Sequence, residues 1–246
     1  MDFYDQIASQ YDQITASARR GPEAEALAQT LVRRYKLKSA LDVACGTGLY
    51  ALALARMGLR VVGSDASRAM LNQARRTARR EGLDITWVHS TMQELGERIE
   101  GGFDAVLCMG NSIPHLLEDA DLEAALRAFH RLVRPGRAVV VQLLNYARIL
   151  ERGERIVGID RQGEAQYVRF YDFLGPHVRF NILQMVWPDD LCRHRLYSTL
   201  LRAYTDADLR QALTRRGFAD IKAFSGPRLG PFVPSRSQTL TLVARR

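Results

Sequence analysis

Hydrophobic positions along the chain follow two rhythms in alternation. From Pro22 to Leu37, the residues Ala24, Leu27, Leu31 and Tyr35 recur at the three- and four-residue spacing that turns one helix face toward a core. Ser39 to Ala44 is then a short apolar run of strand type. The same order repeats. Leu49 to Met57 reads as helix, Arg60 to Asp65 as strand, Ser67 to Glu81 as helix, Ile85 to His89 and Phe103 to Met109 as strands, Asp119 to Leu132 as helix, and Arg137 to Leu144 as strand. Strands separated by helical segments predict a parallel sheet covered on both faces, because each parallel connection has to cross over.

The rhythm changes after Tyr146. Gln166 to Phe173 and His177 to Ile182 alternate sides around a Leu174-Gly-Pro turn signal, so residues 147–204 are expected to form antiparallel hairpins inserted into the main fold. Thr205 with Asp208 makes a capping-box pattern that opens a helix, and Gly217 closes it. Ile221 to Phe224 and Thr239 to Ala244 then complete the sheet. The expected fold is a Rossmann-like α/β sheet, mostly parallel with an antiparallel last strand, flanked by helices and carrying a small antiparallel β insertion. Within one domain spanning residues 1–246, residues 1–37 form an N-terminal helical cap, 38–146 the ligand-binding core, 147–204 the insertion, and 205–246 the C-terminal helix and final strands. The insertion falls above the strand ends, where ligands of such sheets bind, and reads as a substrate lid or as an association surface for a second copy.

Composition narrows the function classes. The 246 residues suffice for one large domain, and 47% apolar with 25% charged residues excludes wholesale disorder. No apolar stretch approaches the roughly 18 residues of a membrane span. The opening MDFYDQIASQYDQ is acidic and polar where a secretory signal is basic and then apolar, so a cytoplasmic protein is expected. Cys45, Cys108 and Cys192 have no paired or metal-type spacing and are expected to be reduced thiols, with no metal site. The net charge of +8 is carried mostly by arginine, but doublets such as Arg75-Arg76 and Arg215-Arg216 are scattered rather than gathered with aromatics. That argues against a nucleic-acid partner and toward a small molecule.

Candidate chemistry starts at Leu41-Asp-Val-Ala-Cys-Gly-Thr-Gly-Leu-Tyr50. A strand that ends in Gly46-Thr-Gly48 and runs into a helix lets backbone approach a ligand closely, and the spacing also reads GxGxxA with Ala51 third. Asp65 stands 19 positions after Gly46 at the end of the next strand, where a carboxylate can accept both hydroxyls of a ribose. Two readings survive, a dinucleotide enzyme and a protein using a nucleoside-bearing methyl donor. Asp42 separates them, since an acid suits the cationic donor S-adenosylmethionine (SAM) better than a pyrophosphate.

At this point the chain resembles a family. Asp42-Val-Ala-Cys-Gly-Thr-Gly48 and Ser64-Asp-Ala-Ser-Arg-Ala-Met-Leu71 resemble the first two motifs of class I SAM-dependent methyltransferases. Cys108-Met-Gly-Asn-Ser-Ile-Pro-His-Leu116, Val133-Arg-Pro-Gly136 and Asn145-Tyr146 are similar to the glycine N-methyltransferase and glycine/sarcosine methyltransferase branch. The resemblance spans most of residues 4–146 and, more loosely, 196–246. It implies SAM as cofactor, with Tyr11 and Arg20 closing over the donor, Arg20 pairing its carboxylate and the Ala44 carbonyl taking its ammonium. Asp42, Gly46 and Gly48 would shape the turn, Asp65 and Ala66 hold the ribose, Thr91 and Met92 edge the adenine, and Met109 and Gly110 pass beneath the methionyl part. Many members have Asp where Thr91 stands, which shifts adenine recognition here to backbone groups.

Asn111, His115, Tyr146 and Tyr197 are expected to bound the acceptor, with Asn111 and Tyr197 in catalytic positions. No His/Asp or Cys/His pair advertises a base, which favours methylation of an amine nitrogen on a small molecule over a hydroxyl. An O-methyltransferase, a non-catalytic SAM-binding protein and a nicotinamide-dependent oxidoreductase are the alternatives. In glycine N-methyltransferase an arginine directly precedes the Asn-Tyr pair and clamps the substrate carboxylate. Here that position is Leu144, so small amino acids are expected to be poor acceptors unless Arg202 or another arginine of the insertion replaces the clamp.

Overall fold

The computed structural model describes residues 3–8, 11, 17–188 and 191–246, without the side chains of residues 17–20. Helices α1 (Phe3–Ile7) and α2 (Ser17–Tyr35) precede β1 (Ser39–Val43), α3 (Leu49–Arg56), β2 (Arg60–Asp65), α4 (Arg68–Arg80) and β3 (Ile85–His89). The chain continues through α5 (Leu95–Arg98), β4 (Phe103–Cys108), a 3-10 turn at Ile113–His115, α6 (Asp119–Leu132), β5 (Val133–Leu144) and α7 (Tyr146–Arg152). Strands β6 (Ile156–Gln162), β7 (Ala165–Leu174), β8 (His177–Val186) and β9 (Arg193–Arg202) form the insertion. Helix α8 (Asp206–Arg215) and strands β10 (Ala219–Ser225), β11 (Gly230–Pro231) and β12 (Thr239–Arg245) follow.

The main sheet has eight strands in the order β11-β10-β12-β5-β4-β1-β2-β3. The pairs from β5 to β3 are parallel, and β12 runs antiparallel to both β5 and β10. Strands β1 and β4 are buried along their whole length, which is why they read as nearly unbroken apolar runs. Helix α6 lays Leu122, Leu126, Phe129 and Leu132 into the core, the stripe its periodicity predicts. The chain leaves β1 toward β2 and β3 on one side, and β4 and β5 lie on the other, so β1 and β4 flank the switch point where such sheets bind ligands.

Local chemistry sets the element ends. The Ser67 side chain accepts from Met70 N–H and caps α4, and Thr205 with Asp208 forms the expected capping box on α8. Strand β5 starts at Val133 rather than Arg137, because Val133 pairs with Phe103 before a register shift and the Arg-Pro-Gly signal does not break the strand. Two short helices, α5 and α7, lie where no helix is expected.

The insertion is a separate four-stranded antiparallel sheet, β6-β7-β8-β9. Its rows pair Tyr171 with Phe180 and Thr199, and Arg169 with Ile182 and Tyr197. Tyr171 and Val178 join the main core, while Tyr167, Ile182 and Tyr197 cluster with Ile7 and Ala8 next to Met70 of α4. The N-terminal segment is thus wedged between the insertion and the Rossmann-like core. Elsewhere the insertion leaves Ile156, Ile159 and Leu196 more than half exposed, at 63%, 58% and 55%. No described helix is long and apolar enough to cross a membrane.

Candidate active site

Between β1 and α3 the backbone turns through three left-handed residues, Ala44 (φ 52°), Gly46 (φ 56°) and Gly48 (φ 88°). The two glycines serve different ends. A Cβ on Gly48 would lie 2.9 Å from the Trp87 ring and 3.1 Å from Ala74 Cβ, so this glycine allows the turn to pack under β3. A Cβ on Gly46 would meet only the edge of Tyr11 at 4.0 Å and would protrude into the trough that Gly46 lines. Asp65 ties the turn to α4. Its Oδ2 accepts from Gly46 N–H at 2.7 Å and its Oδ1 from Ser67 N–H at 2.8 Å.

Asp42 lies beneath the turn, 1% exposed, and accepts from Ala51 N–H at 2.9 Å. Burial pushes its carboxyl from 3.8 up to about 8; the Ala51 hydrogen bond opposes this and the Asp65 charge adds to it. Burial thus favours the protonated carboxyl of Asp42 at neutral pH in the free protein. The same burial, with Asp42 and Asp65 adding, raises the thiols of Cys45 and Cys108, so neither is a thiolate nucleophile.

Three adjoining cavities open around this turn, and Tyr11 and Gly110 line all of them. One of about 320 Å³ is bounded by Asp65, Ala66, Ser90, Thr91 and Met92. A small one of about 40 Å³ runs past Asp42, Ala44, Gly46, Thr47 and Met109. The third, about 310 Å³, lies under the insertion between Asn111, His115, Leu144, Arg169, Tyr171 and Phe180. Tyr4 and His115 are common to the first and third. The arrangement gives a trough along the strand ends, shaped for a nucleoside with an amino-acid tail, and a partly apolar chamber beyond it.

Of the residues singled out from sequence, Tyr11, Asp42, Ala44, Gly46, Asp65, Ala66, Thr91, Met92, Met109 and Gly110 lie on the trough, and Asn111 and His115 on the chamber. Gly48 lies behind the turn. The backbone of Arg20 belongs to α2, but its side chain is outside the described residues. Asn111 sits at φ 72°, its Oδ1 accepting from Leu144 N–H at 3.0 Å and its Nδ2 donating to Tyr146 Oη at 2.9 Å. Tyr146 and Tyr197 depart from expectation. Tyr146 is wholly buried and holds Asn111 from behind, with burial raising its phenol. Tyr197 packs against the N-terminal segment and donates to Gln184 Oε1 at 3.4 Å, outside the lining of the chamber. Arg202 pairs with Asp119 at 2.8 Å and also lies outside that lining.

Sequence reasoning passed over Tyr4, Tyr50, Gln142, Arg169 and Phe180. Gln142 had a signal, a lone polar residue within Val139-Val-Val-Gln-Leu-Leu144; its Oε1 accepts from Tyr50 Oη at 3.2 Å and from Gly110 N–H at 3.3 Å. Arg169 forms an ion pair with Asp160 and comes from the middle of an insertion strand.

Comparison with known proteins agrees with this geometry. A methyltransferase-domain family model matches residues 40–136. The glycine/sarcosine N-methyltransferase of Aphanothece halophytica is 30% identical over 213 residues, covering 84% of this chain and 76% of that protein. The glycine/sarcosine N-methyltransferase of Parasynechococcus marenigrum is 34% identical over 134 residues, 54% of this chain and 46% of that one. The chain thus matches about half the length of most of these curated relatives. The CcbJ methyltransferase of Streptomyces caelestis superposes with a TM-score of 0.85 at 23% identity, covering 99% of this chain and 97% of that one. The chain belongs to the class I SAM-dependent methyltransferases, related to the branch of the glycine and glycine/sarcosine N-methyltransferases. SAM is its cofactor, and the open Gly46 cradle, the Asp65 carboxylate and the continuous trough fit it.

Proposed function

We propose that this chain methylates an amine nitrogen on a small molecule larger and more apolar than glycine. One observation carries the reading: a chamber of about 310 Å³, lined mainly by aromatic and aliphatic side chains with Glu23, Gln142 and Arg169 among them, adjoins the donor trough, and Leu144, where the resemblance to glycine N-methyltransferase implies a carboxylate-clamping arginine, lies in its wall. A leucine cannot pair with a carboxylate, and burying one unpaired costs several kcal/mol. Arg169 is the arginine of the insertion in the chamber wall, and its charge is already balanced by Asp160.

Bound SAM supplies an electrophilic methyl on a sulfonium. The chain's part is to hold and to exclude. Asp65 would receive the ribose hydroxyls, the Ala44 backbone the donor's ammonium, and backbone groups near Thr91 and Met92 the adenine. Asn111, locked by Leu144 N–H and Tyr146, would set the floor on which the acceptor nitrogen is aligned, the step worth most in an in-line displacement. Desolvation in the chamber lowers the pKa of a bound ammonium and so eases its conversion to the neutral, nucleophilic amine. The N-terminal segment carrying Tyr4, Ile7 and Tyr11 acts as the lid with the insertion, and Arg20 would pair the donor carboxylate. SAM is then expected to protect this segment from proteolysis, and Arg20→Ala to remove much of the protection. The half-exposed Ile156, Ile159 and Leu196 support the insertion as a self-association surface, which sedimentation of the protein against concentration tests.

The deciding experiment is steady-state methylation of glycine and sarcosine against a panel of larger amines. Larger amines are expected to exceed glycine in kcat/KM by at least tenfold, and efficient turnover of glycine overturns the reading.

A further inference from the structure

No pair suited to base chemistry is visible in the sequence, yet the fold builds one from residues 111 positions apart. Tyr4 Oη lies 2.6 Å from His115 Nε2, with the rings 5.2 Å apart and steeply inclined at 66°. Both side chains line the donor trough and the acceptor chamber, so the pair stands in the partition between the two. Its placement is built in. Ile7, one turn along α1, is 1% exposed in the cluster with Met70 and Tyr197, and Asp5 accepts a hydrogen bond from Ser67 Oγ at 2.5 Å. These contacts fix α1 across the start of α4. His115 is held by its 3-10 turn, its N–H donating to Ser112 O at 3.1 Å.

Resting on the amine-methylation reading, we propose that Tyr4 and His115 form a proton relay that deprotonates the acceptor. The acceptor enters as an ammonium. Its N–H proton passes to Tyr4 Oη as the phenolic proton passes to His115 Nε2, leaving a neutral amine, an intact phenol and an imidazolium. Nothing is oxidised or reduced, and the imidazolium returns its proton to solvent when the site opens. The lone pair so freed is the nucleophile. Tyr4 is the group that touches the acceptor; His115 acts through it. The other titratable or charged side chains facing this space are Tyr11, Glu23 of α2, Tyr50 of α3, Asp65 of β2, and Arg169 and Tyr171 of β7. Arg169 is paired with Asp160, and burial pushes Tyr171 up to about 12, which leaves neither as a base.

The relay demands that His115 Nε2 be the unprotonated ring nitrogen, and this can be read without turnover. In the wild-type protein, long-range 15N NMR is expected to show His115 as the Nδ1–H tautomer, and Tyr4→Phe to shift it toward the Nε2–H form. Tyr4→Phe and His115→Gln should each lower kcat about a hundredfold or more, with the double variant little worse than either single one. Both should abolish the acid limb of the kcat profile. Tyr4→Phe removes one oxygen, and an unchanged melting temperature confirms that it folds. An Nε2–H tautomer in the wild type, or wild-type kcat in Tyr4→Phe, overturns the relay and leaves amine methylation standing. A wild-type protein that binds SAM but turns over no amine overturns the reading beneath it.

Discussion

Asp42→Asn isolates a single buried proton. In the fold, Asp42 receives one hydrogen bond, from Ala51 N–H, and burial holds its carboxyl near 8 instead of 3.8. Between those two values the folded protein keeps a proton that the unfolded chain has released. Stability on this account is fullest below about pH 4 and falls as pH rises through the window to about 8. Four pH units at about 1.4 kcal/mol each set a ceiling of roughly 5–6 kcal/mol on the loss. With an effective dielectric nearer 20 than 4, a working figure is on the order of 2–3 kcal/mol. Asparagine keeps the acceptor oxygen for Ala51 and cannot ionise. In thermal scans of both proteins from pH 5 to 9, the variant should gain on the wild type as pH rises, by roughly 5–10 °C over the range. Binding of the cationic cofactor should favour the ionised carboxylate, so SAM binding near pH 7 releases a proton in the wild type and not in the variant. Calorimetry in buffers of different ionisation enthalpy reads that release. A melting difference that stays flat with pH would refute the reasoning, because it would mean that Asp42 does not titrate between these limits.

Three further outcomes follow from the site and its supports. Asp65→Ala removes a charged acceptor from Gly46 and Ser67, bonds worth about 1.5–3 kcal/mol each, and should weaken SAM binding at least tenfold by calorimetry. Gly48→Ala drives a methyl against Trp87 at φ 88° and should cost about 2–5 kcal/mol in urea unfolding, whereas Gly58→Ala, at φ 78° in open space, should cost about 1–2. Asp104 is buried at the opposite end of the sheet; burial raises its carboxyl, but bonds from Lys38 and Ser39 N–H and the charges of Arg137 and Arg134 outweigh this and hold it below the usual range. Its contribution is present above the ordinary carboxylate pKa and lost as pH falls through the lowered one, so Asp104→Asn should flatten the acid limb of the stability curve below about pH 4.

The Rossmann-like core was legible because its central strands β1 and β4 are buried on both faces and its helices on one, which stamps a strong pattern on the sequence. Strands β2 and β3 have the bounds expected from the sequence, Arg60–Asp65 and Ile85–His89. Legibility failed where one contact decides an element. Helix α5 is four residues anchored by buried Leu95 alone, too short to show a period. Helix α7 begins with Asn145 capping Arg148 N–H, and Tyr146, read as a chamber residue, is its buried anchor. The motif glycines were equally legible as a pair, but only packing tells them apart: Trp87 stands over Gly48 and also over Gly63, where a Cβ would come within 2.5 Å of its ring.

The acceptor side was the least legible part, and Tyr197 explains why. Tyr197, Thr199 and Leu201 lie on one face of β9, and Thr199 and Leu201 line the chamber. Parity says nothing about position along the strand. Two residues correspond to about 7 Å, enough to move a side chain from the chamber into the cluster around Ile7 and Met70, where Tyr197 sits. What fixes that position is the pairing of Ile182 with both Arg169 and Tyr197, together with the seating of the whole insertion on the N-terminal segment. Tyr4 reaches His115 for the same reason. The groups that would choose the acceptor and take its proton thus come from segments joined only by tertiary packing, and those are the segments in which one sequence carries the weakest signal.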